Sequence, residues 1–390
     1  MTAMTSAAAP NLVGRPASIL SPALIRVFVA SAGSLTSFYL LLSVVPLYAT
    51  SVGAGAAGAG IATGVLMFAT VGTEFVTPRL VERFGYRVML AVGLVLLGGP
   101  ALLLPFATSM PQILVVSVVR GVGFAIVVVL GGALVAMIVP TERRGEALGL
   151  SGIVSGVPGV VALPLGAWLV GHIGYAGVFV IGGLAALAGL IAVPGLPGRS
   201  AAADGPRIVE GLRNRAMRRS ALAFGATAVA GGIVVAFLPL AVSGAAGGVA
   251  AAALLVQSAA ATVTRWWAGR RADRHGAAGL LVPAVLLSAA GMLLLALTAV
   301  PVAVLAGALV FGAGFGVAQN ASLAVMFDSV PRSGYGLASA LWNMAFDGGY
   351  GLGAAGCGLV AGAAGYPIAF ALTAAVVFAA VLPARRGASC

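Results

Sequence analysis

The sequence lacks most of the side chains that enzymes use for covalent and metal-assisted chemistry. Among its 390 residues there is no lysine, and there are only two cysteines and two histidines. The missing lysine excludes a P-loop nucleotide site and Schiff-base chemistry. The cysteines and histidines are too few and too scattered for a zinc site or a Ser-His-Asp triad. We therefore expect no enzyme activity, no metal and no cofactor.

Charged residues are scarce as well, and that scarcity indicates the class of protein. Only 8% of the residues are charged and 61% are hydrophobic, against about 25% and 45–50% in soluble domains. Apolar runs such as 88–104 and 113–139 have the length of a membrane span. They neither alternate like barrel strands nor carry the charged face of a surface helix. The sequence therefore predicts an all-α membrane protein in a lipid bilayer.

Turn and charge signals divide the chain into two apolar halves. We expect a disordered cytoplasmic tail (1–20), a six-helix half (21–194), a cytoplasmic linker (195–217), a second six-helix half (218–384) and a cytoplasmic tail (385–390). The twelve predicted transmembrane helices are 24–48, 57–78, 87–106, 111–139, 147–170, 175–194, 218–243, 248–266, 278–299, 302–327, 335–362 and 366–383.

Arginine supplies all 21 basic residues, and twenty of them fall at the N-terminus, at the C-terminus or in alternate connections between predicted spans. With the N-terminus inside, all twenty are cytoplasmic, as the positive-inside rule requires. We therefore expect a multi-pass protein of a bacterial cytoplasmic membrane, a monomer with both termini cytoplasmic. The same placement explains the formal charge of +12 without nucleic acid as a partner.

The two halves share a sequence register. The segment 82–85 (E-R-F-G) recurs as 273–276 (D-R-H-G), and the spacing of Val-Pro, Gly and Ala in 139–147 recurs in 330–338, both at a shift of 191 residues. Matches in one register indicate a duplicated six-helix unit. Because six spans is an even number, the two copies have the same orientation, and such parallel repeats place a substrate site at the midplane between halves.

These motifs resemble those of the major facilitator superfamily. The segment 269–276 (G-R-R-A-D-R-H-G) is similar to the family's G-x-x-x-D-R-x-G loop, and 120–123 is similar to its R-G-x-G signature. The fifth span only partly resembles the Gly-Pro motif of family antiporters, because Leu163 precedes Pro164 where glycine is usual. The resemblance covers the chain after residue 20. It implies a fold of twelve helices in two halves and transport by alternating access.

The paired loops are candidates for a cytoplasmic gate. A carboxylate beside arginine at a helix end can bond to a neighbouring helix N-terminus or to arginine across the interface, and so stabilise one conformation. The alternative is that arginine only fixes the topology. The proposed gate residues are Glu82, Arg83, Gly85, Gly269, Asp273, Arg274 and Gly276.

Two acidic residues within predicted spans are candidates for proton coupling. Asp347 lies about twelve residues into the eleventh span, where a charge costs roughly 2.5–3.5 kcal/mol, so it should face the interior of the bundle. Its alternatives are pairing with a cationic substrate and a structural role as a buried aspartate bonded to backbone groups freed by the neighbouring glycines. Glu74, near the end of the second span, is a second candidate; it can equally belong to the loop gate or pair with Arg265.

Other polar and aromatic residues at membrane depth are candidates for a substrate cavity. Arg120, in the fourth span, can bind a carboxylate through its guanidinium, or can serve a structural role by donating to backbone carbonyls. The amides can equally serve helix–helix hydrogen bonding. The predicted cavity residues are Arg120, Tyr39, Gln257, Gln319, Asn320, Trp342, Asn343 and Tyr350.

The functional hypothesis is a secondary active transporter without an ATP site of its own. We expect a proton-coupled exporter of an amphipathic small molecule, because the interior is apolar with few polar groups. The first alternative is transport of a polar or anionic metabolite, such as a sugar or a siderophore, in either direction. The second is a membrane receptor or scaffold that has this fold but transports nothing.

Overall fold

A computed structural model describes residues 20–139, 144–196, 198, 208–242, 248–331 and 334–387. Within these ranges the chain is helical and contains no β-strand. Residues 1–19 of the predicted N-terminal tail, residues 197 and 199–207 of the predicted linker and the last three residues lie outside the described residues, as do Arg143 and Arg332.

The first half contains seven α-helices. They are α1 (Pro22–Leu42), α2 (Val44–Ser51), α3 (Gly55–Glu74), α4 (Thr77–Phe84), α5 (Tyr86–Gly98), α6 (Met110–Ile138) and α7 (Arg144–Ala188). Two 3₁₀ helices, Pro100–Phe106 and Gly189–Gly195, extend α5 and α7.

The second half contains seven α-helices after a short connecting helix, α8 (Ile208–Arg213). They are α9 (Arg215–Ala241), α10 (Val249–His275), α11 (Ala278–Leu295), α12 (Pro301–Asp328), α13 (Tyr335–Ala364), α14 (Tyr366–Ala379) and α15 (Val381–Gly387).

Ten helical segments of the described residues are long and apolar enough to cross a membrane. One of them, Leu150–Gly195, has 46 residues and covers both the fifth and the sixth predicted spans. It is broken at Gly174, whose φ of 70° interrupts the helix. The eleventh predicted span corresponds to α13, which has 30 residues but is not among the ten segments. Every predicted span thus coincides with helix, and the chain is a multi-pass membrane protein.

Local sequence signals fix where several helices begin. The side chain of Ser21 accepts a hydrogen bond from the Leu24 backbone N–H at 3.2 Å, and Pro22 follows at the first helical position. Asn214 similarly accepts hydrogen bonds from the N–H groups of Ala216 and Met217 at the start of α9. Such caps satisfy N–H groups that have no partner within the helix.

The internal repeat appears in the turns between helices. Gly85 and Gly276 each have a φ of 81° and each follows the last residue of a helix, at the turn to the next one. Gly174 and Gly365 have φ values of 70° and 84° at the second pair of equivalent turns. Both pairs are separated by 191 residues, the register of the sequence repeat. Because a positive φ strains residues with a Cβ atom, glycine is required at all four turns.

Helix packing follows the same register. A Cβ atom at Gly121 would lie 2.2 Å from the Leu66 carbonyl oxygen, and one at Gly312 would lie 2.3 Å from the Gln257 carbonyl oxygen. Leu66 and Gln257 are themselves 191 residues apart, so the contact of α3 with α6 is repeated as that of α10 with α12. The two halves therefore repeat this helix contact in the register of the sequence repeat.

Small residues form the contact between the halves along α3 and α13. A Cβ atom at Gly60 would lie 2.2 Å from the Ala354 carbonyl oxygen, and one at Gly358 would lie 2.7 Å from the Ala56 carbonyl oxygen. Gly64 also lies opposite α13 at this seam. Close backbone approach of this kind is typical of helix contacts in membranes. The antiparallel seam brings the last turn of α3 beside the middle of α13.

Candidate functional site

A cavity of about 90 Å³ lies between the two halves. The first half contributes α1 and α7, and the second half contributes α10, α12 and α13. The cavity is lined by Tyr39, Ser155, Gly156, Gly159, Leu163, Gln257, Ser258, Ala261, Thr262, Arg265, Phe315, Gln319, Phe346 and Tyr350. Its position agrees with the expectation of a site between parallel repeats.

Tyr39 is the main contribution of the first half. Its ring faces α7 at Gly159, where a Cβ atom would come within 3.5 Å of the ring. It also packs edge-on against Phe38, with ring centroids 5.3 Å apart. The tyrosine ring therefore lies close to the backbone of α7 at the cavity wall.

Arg265 brings a positive charge to the cavity from α10. Its Nη1 donates a hydrogen bond to Oε1 of Gln319 on α12 at 3.2 Å. Thr264, the preceding residue, donates to the Ala313 carbonyl oxygen at 3.0 Å and ties the same two helices together. Tyr39 lines the same cavity from the first half. The cation is therefore held by the second half at a cavity that both halves line.

An aromatic wall closes the cavity on the side of α12 and α13. The ring centroids of Phe346 and Tyr350 are 4.7 Å apart, and those of Phe315 and Phe346 are 6.2 Å apart. These separations fall within the range of favourable aromatic pairs. A polar position lies opposite, where Ser258 donates to Oε1 of Gln257 at 3.4 Å. The cavity thus combines aromatic surface, two amides and one guanidinium.

The acidic residues predicted for proton coupling meet beside this cavity. Glu74 ends α3 and Asp347 lies in the middle of α13, and their carboxyl groups are close enough to interact with each other. Asp347 is only 5% exposed. The structure therefore places the two candidates in one pair that joins the halves. Glu74 does not pair with Arg265, whose side chain bonds instead to Gln319.

Arg120 lies elsewhere, inside the first half. It is 1% exposed and does not line the cavity. Its Nε donates to the Leu97 carbonyl oxygen at 3.2 Å, and its Nη2 donates to the Ser37 carbonyl oxygen at 3.4 Å. The structure thus favours the structural alternative for Arg120, as a guanidinium that binds backbone oxygens of α1 and α5.

Four of the eight predicted cavity residues line the cavity, namely Tyr39, Gln257, Gln319 and Tyr350. The remaining three besides Arg120 lie beyond its wall. Trp342 is turned away, since its Nε1 donates to Ser322 Oγ at 2.9 Å and its ring stacks on Phe224. Asn320 lies on α12 beside Gly269 of α10, and Asn343 precedes the acidic residue on α13 without lining the cavity.

The predicted gate residues lie at the ends of α4 and α10. Glu82 and Arg83 in the first loop, and Asp273 and Arg274 in the second, are exposed. Within the part of the chain that the structure describes, neither acidic side chain has a hydrogen bond or an ion pair. Gly85 and Gly276 supply the left-handed turns, and Gly269 packs beside α12. Among the described residues the proposed latch has no contact in this conformation, and the gate stays a prediction.

Sequence reasoning missed the charged residue that lines the cavity. It assigned Arg265 to the group of cytoplasmic arginines, although Arg265 precedes the loop motif 269–276 by one helical turn and thus lies deeper in the membrane. It also missed Phe315 and Phe346, because aromatic residues in an apolar helix give no separate signal. The spacing of Arg265 from the loop was the only available clue.

Comparisons with known proteins identify the family to which the chain belongs. Residues 27–243 match the family described as Major Facilitator Superfamily. The fold is similar to the crystal structure of a variant of the nucleoside transporter NupG, with a TM-score of 0.71 and 14% sequence identity. That match covers 93% of this chain and 99% of NupG. No curated protein sequence matches the chain.

Proposed function

Because the chain belongs to the major facilitator superfamily, we propose that it is a proton-coupled secondary transporter that exports an amphipathic small molecule by alternating access. In this proposal it lies in a bacterial cytoplasmic membrane as a monomer of twelve spans, with both termini in the cytoplasm. Asp347 carries the coupling proton together with Glu74, and the cavity between the halves binds the substrate.

The observation that carries the proposal is the carboxyl pair between the halves. Two ionised carboxylates can only accept hydrogen bonds, so the neighbouring carboxyl groups of Glu74 and Asp347 can bond to each other only when one of them carries a proton. Oε1 of Glu74 is buried and receives no hydrogen bond from any N–H or hydroxyl group of the described residues. A shared proton therefore stabilises the contact, and its loss places two like charges side by side.

This chemistry couples a proton to the movement of the halves. Glu74 belongs to the first half and Asp347 to the second, so a protonated pair holds α3 against α13. Repulsion in the unprotonated pair favours a conformation in which the two side chains are separated and reach water. A proton can bias a two-state equilibrium only through such a difference between the states.

The experiment uses purified protein in proteoliposomes with an imposed pH gradient. Single-ring amphipathic compounds of each charge class serve as probes, namely benzoate, benzamide and benzylamine, and accumulation is measured beside equilibrium exchange. We expect Asp347→Asn to abolish gradient-driven accumulation and to retain exchange, and Glu74→Gln to weaken coupling. Asp328→Asn, which alters an exposed acid at the end of α12, is the matched control and should behave as wild type.

Two results would contradict the proposal. If Asp347→Asn accumulates the probe compound as wild type does, Asp347 does not carry the coupling proton. Equal accumulation with and without the gradient identifies a facilitator, in which the halves move without proton transfer.

A second candidate is transport of a polar metabolite such as a nucleoside. Two glutamines and several aromatic rings line the cavity, and such groups bind the edges and faces of a planar heterocycle. The likeness to NupG shows the fold alone, so the support comes from the cavity. Uridine and adenosine, added to the probes above, test this candidate directly.

A further inference from the structure

The cavity has a charge that the proposed transport cycle does not use. Arg265 is the only residue with a formal charge among those that line the cavity in the described part of the chain. Glu74 and Asp347 lie behind the wall and interact with each other. A molecule in the cavity therefore meets a guanidinium and no carboxylate. The charge proposed for coupling and the charge available to a ligand are on different residues.

Arg265 is incompletely paired by the protein. A guanidinium carries five N–H donors, and the described residues supply it with one acceptor, the neutral amide oxygen of Gln319. Its α10 helix places it within a membrane span, where an unpaired charge is costly. Arg120, in contrast, is enclosed and donates to two backbone carbonyls. An anionic group in the cavity would supply the counter-charge that the chain does not provide.

The surroundings of Arg265 suit a flat ring more than an alkyl chain. Phe315, Phe346 and Tyr350 line one wall, and Tyr39 lies on the side of the first half. Aromatic faces and edges pack favourably against another ring. The volume of about 90 Å³ is less than the roughly 150 Å³ of a cavity known to hold benzene. A single ring therefore needs the cavity to widen, which the movement of the halves in the proposed transport cycle provides.

We propose that Arg265 forms an anion-binding subsite and that the substrate is an aromatic carboxylate. The carboxylate pairs with the guanidinium while Gln319 holds the guanidinium in place, and the ring packs between Tyr39 and the wall of Phe315 and Phe346. The inference rests on the proposed function, since it assigns a substrate class to the same cavity. It also agrees with an amphipathic substrate, because such a molecule has one charged end and one apolar end.

Binding to the purified full-length protein in detergent tests the subsite without any gradient. Three probes share one ring and differ in charge, namely benzoate, benzamide and benzylamine. We expect benzoate to bind more tightly than the other two. Arg265→Gln should weaken benzoate binding by roughly 30-fold or more, the usual effect of removing one partner of a desolvated charge pair, and should leave benzamide binding within about twofold.

Two further variants separate charge from structure. Arg265→Lys keeps the charge but loses the planar fork, so it should restore part of the benzoate affinity. Arg270→Gln is the matched control, because Arg270 lies on the same helix, is exposed, and places its guanidinium over the ring of Trp266. It should bind benzoate as wild type does. Thermal unfolding of each variant verifies that it is folded.

Three outcomes overturn the inference. One is equal binding of benzoate by wild type and by a folded Arg265→Gln. Another is equal binding of benzoate and benzamide by wild type. The third is tighter binding of benzylamine, which would assign the ligand to the acidic pair instead. None of these results depends on a proton gradient, so accumulation of a different probe in the proteoliposome experiment would leave the proposed function standing.

Discussion

Two arginines at membrane depth, one in each half, have opposite surroundings. Arg120 is enclosed by its own half and donates to carbonyl oxygens of Leu97 and Ser37. Arg265 lies at the boundary between the halves, with one amide as partner and the cavity beside it. The comparison teaches that the position of a charge matters as much as its depth in the membrane. A charge at the boundary between the halves is the better candidate for function, because its partners can change when the halves move.

The repeat makes the contrast sharper. The residue of the second half in the register of Arg120 is Phe311, which is also fully buried. The same packing position is thus filled by an arginine in one half and by a phenylalanine in the other. Volume is what the two side chains have in common, so the position serves packing in both halves.

The largest expected effect comes from shortening Arg120. Arg120→Ala leaves a void in the first half and should lower the free energy of unfolding by about 2–5 kcal/mol. Arg120→Met keeps much of the volume and removes a buried charge, so it should cost less than about 1.5 kcal/mol. Arg265→Ala, which faces the cavity, should change stability by less than about 1 kcal/mol. Thermal unfolding in detergent measures all three.

The contrast between the two arginines would be wrong if Arg120 contacts the ligand. An Arg120→Ala protein that unfolds as wild type does but no longer binds benzoate would place Arg120 in the ligand site. The void and the lost hydrogen bonds would then have to be compensated by movement of α5 and α6.

Glycines show the same contrast between a position within one half and a position at the boundary between the halves. We expect their substitution to have a smaller effect than that of Arg120. A Cβ atom at Gly123 would lie 2.4 Å from the Leu97 backbone nitrogen, within the first half, whereas one at Gly60 would meet α13 of the other half. Gly123→Ala should therefore lower the free energy of unfolding, by about 1–3 kcal/mol. Gly60→Ala should instead favour conformations in which α3 and α13 are further apart.

Labelling of Cys357 distinguishes the two glycine variants. Cys357 is buried on α13, close to the seam. In a background that carries Cys390→Ser, Gly60→Ala should increase the rate at which a small thiol reagent labels Cys357, and Gly123→Ala should not at temperatures where it is folded. Equal rates in all proteins would mean that the seam adapts to a methyl group without separating the halves.

The smallest effect is expected at the loop that follows α10. Asp273 is exposed and has no partner among the described residues, while Nη1 of the nearby Arg271 is buried and unpaired. If the loop forms its contacts in another conformation, Asp273→Asn should lower turnover several-fold and leave benzoate affinity unchanged. His275→Gln, two residues further on, is the control. Unchanged turnover in Asp273→Asn would mean that the arginines of this loop only fix the topology of the chain.

The helical fold was predictable because its signals are local and repeated. Apolar runs located the spans, and the register of 191 residues located the equivalent turns, which the structure forms at Gly85 and Gly276. The break at Gly174 was also predicted, as the boundary between the fifth and sixth spans. The predicted division into tails, linker and halves stays a prediction, since residues 199–207 in the middle of the linker lie outside the described residues.

The candidate site was only partly predictable, because depth in the membrane does not specify the face of a helix. Asp347 and Arg120 were selected by the same rule, and only Asp347 lies at the boundary between the halves. The contact of Glu74 with Asp347 depends on the register of α3 against α13, which the small residues of the seam set. The sequence analysis counted Arg265 among the cytoplasmic arginines. For that reason it did not identify Arg265 as the cation that lines the cavity.

The carboxyl pair also bears on how the protein is made. Glu74 and Asp347 are roughly 270 residues apart, so at about 5–20 residues per second the ribosome needs on the order of 14–55 seconds to synthesise the partner of Glu74. During that interval the first half is already inserted with an acidic side chain that has no counterpart. Glu74 ends its helix, whereas Asp347 lies in the middle of α13. The acid that is synthesised first is therefore the one nearer the end of a span, where an isolated charge costs less.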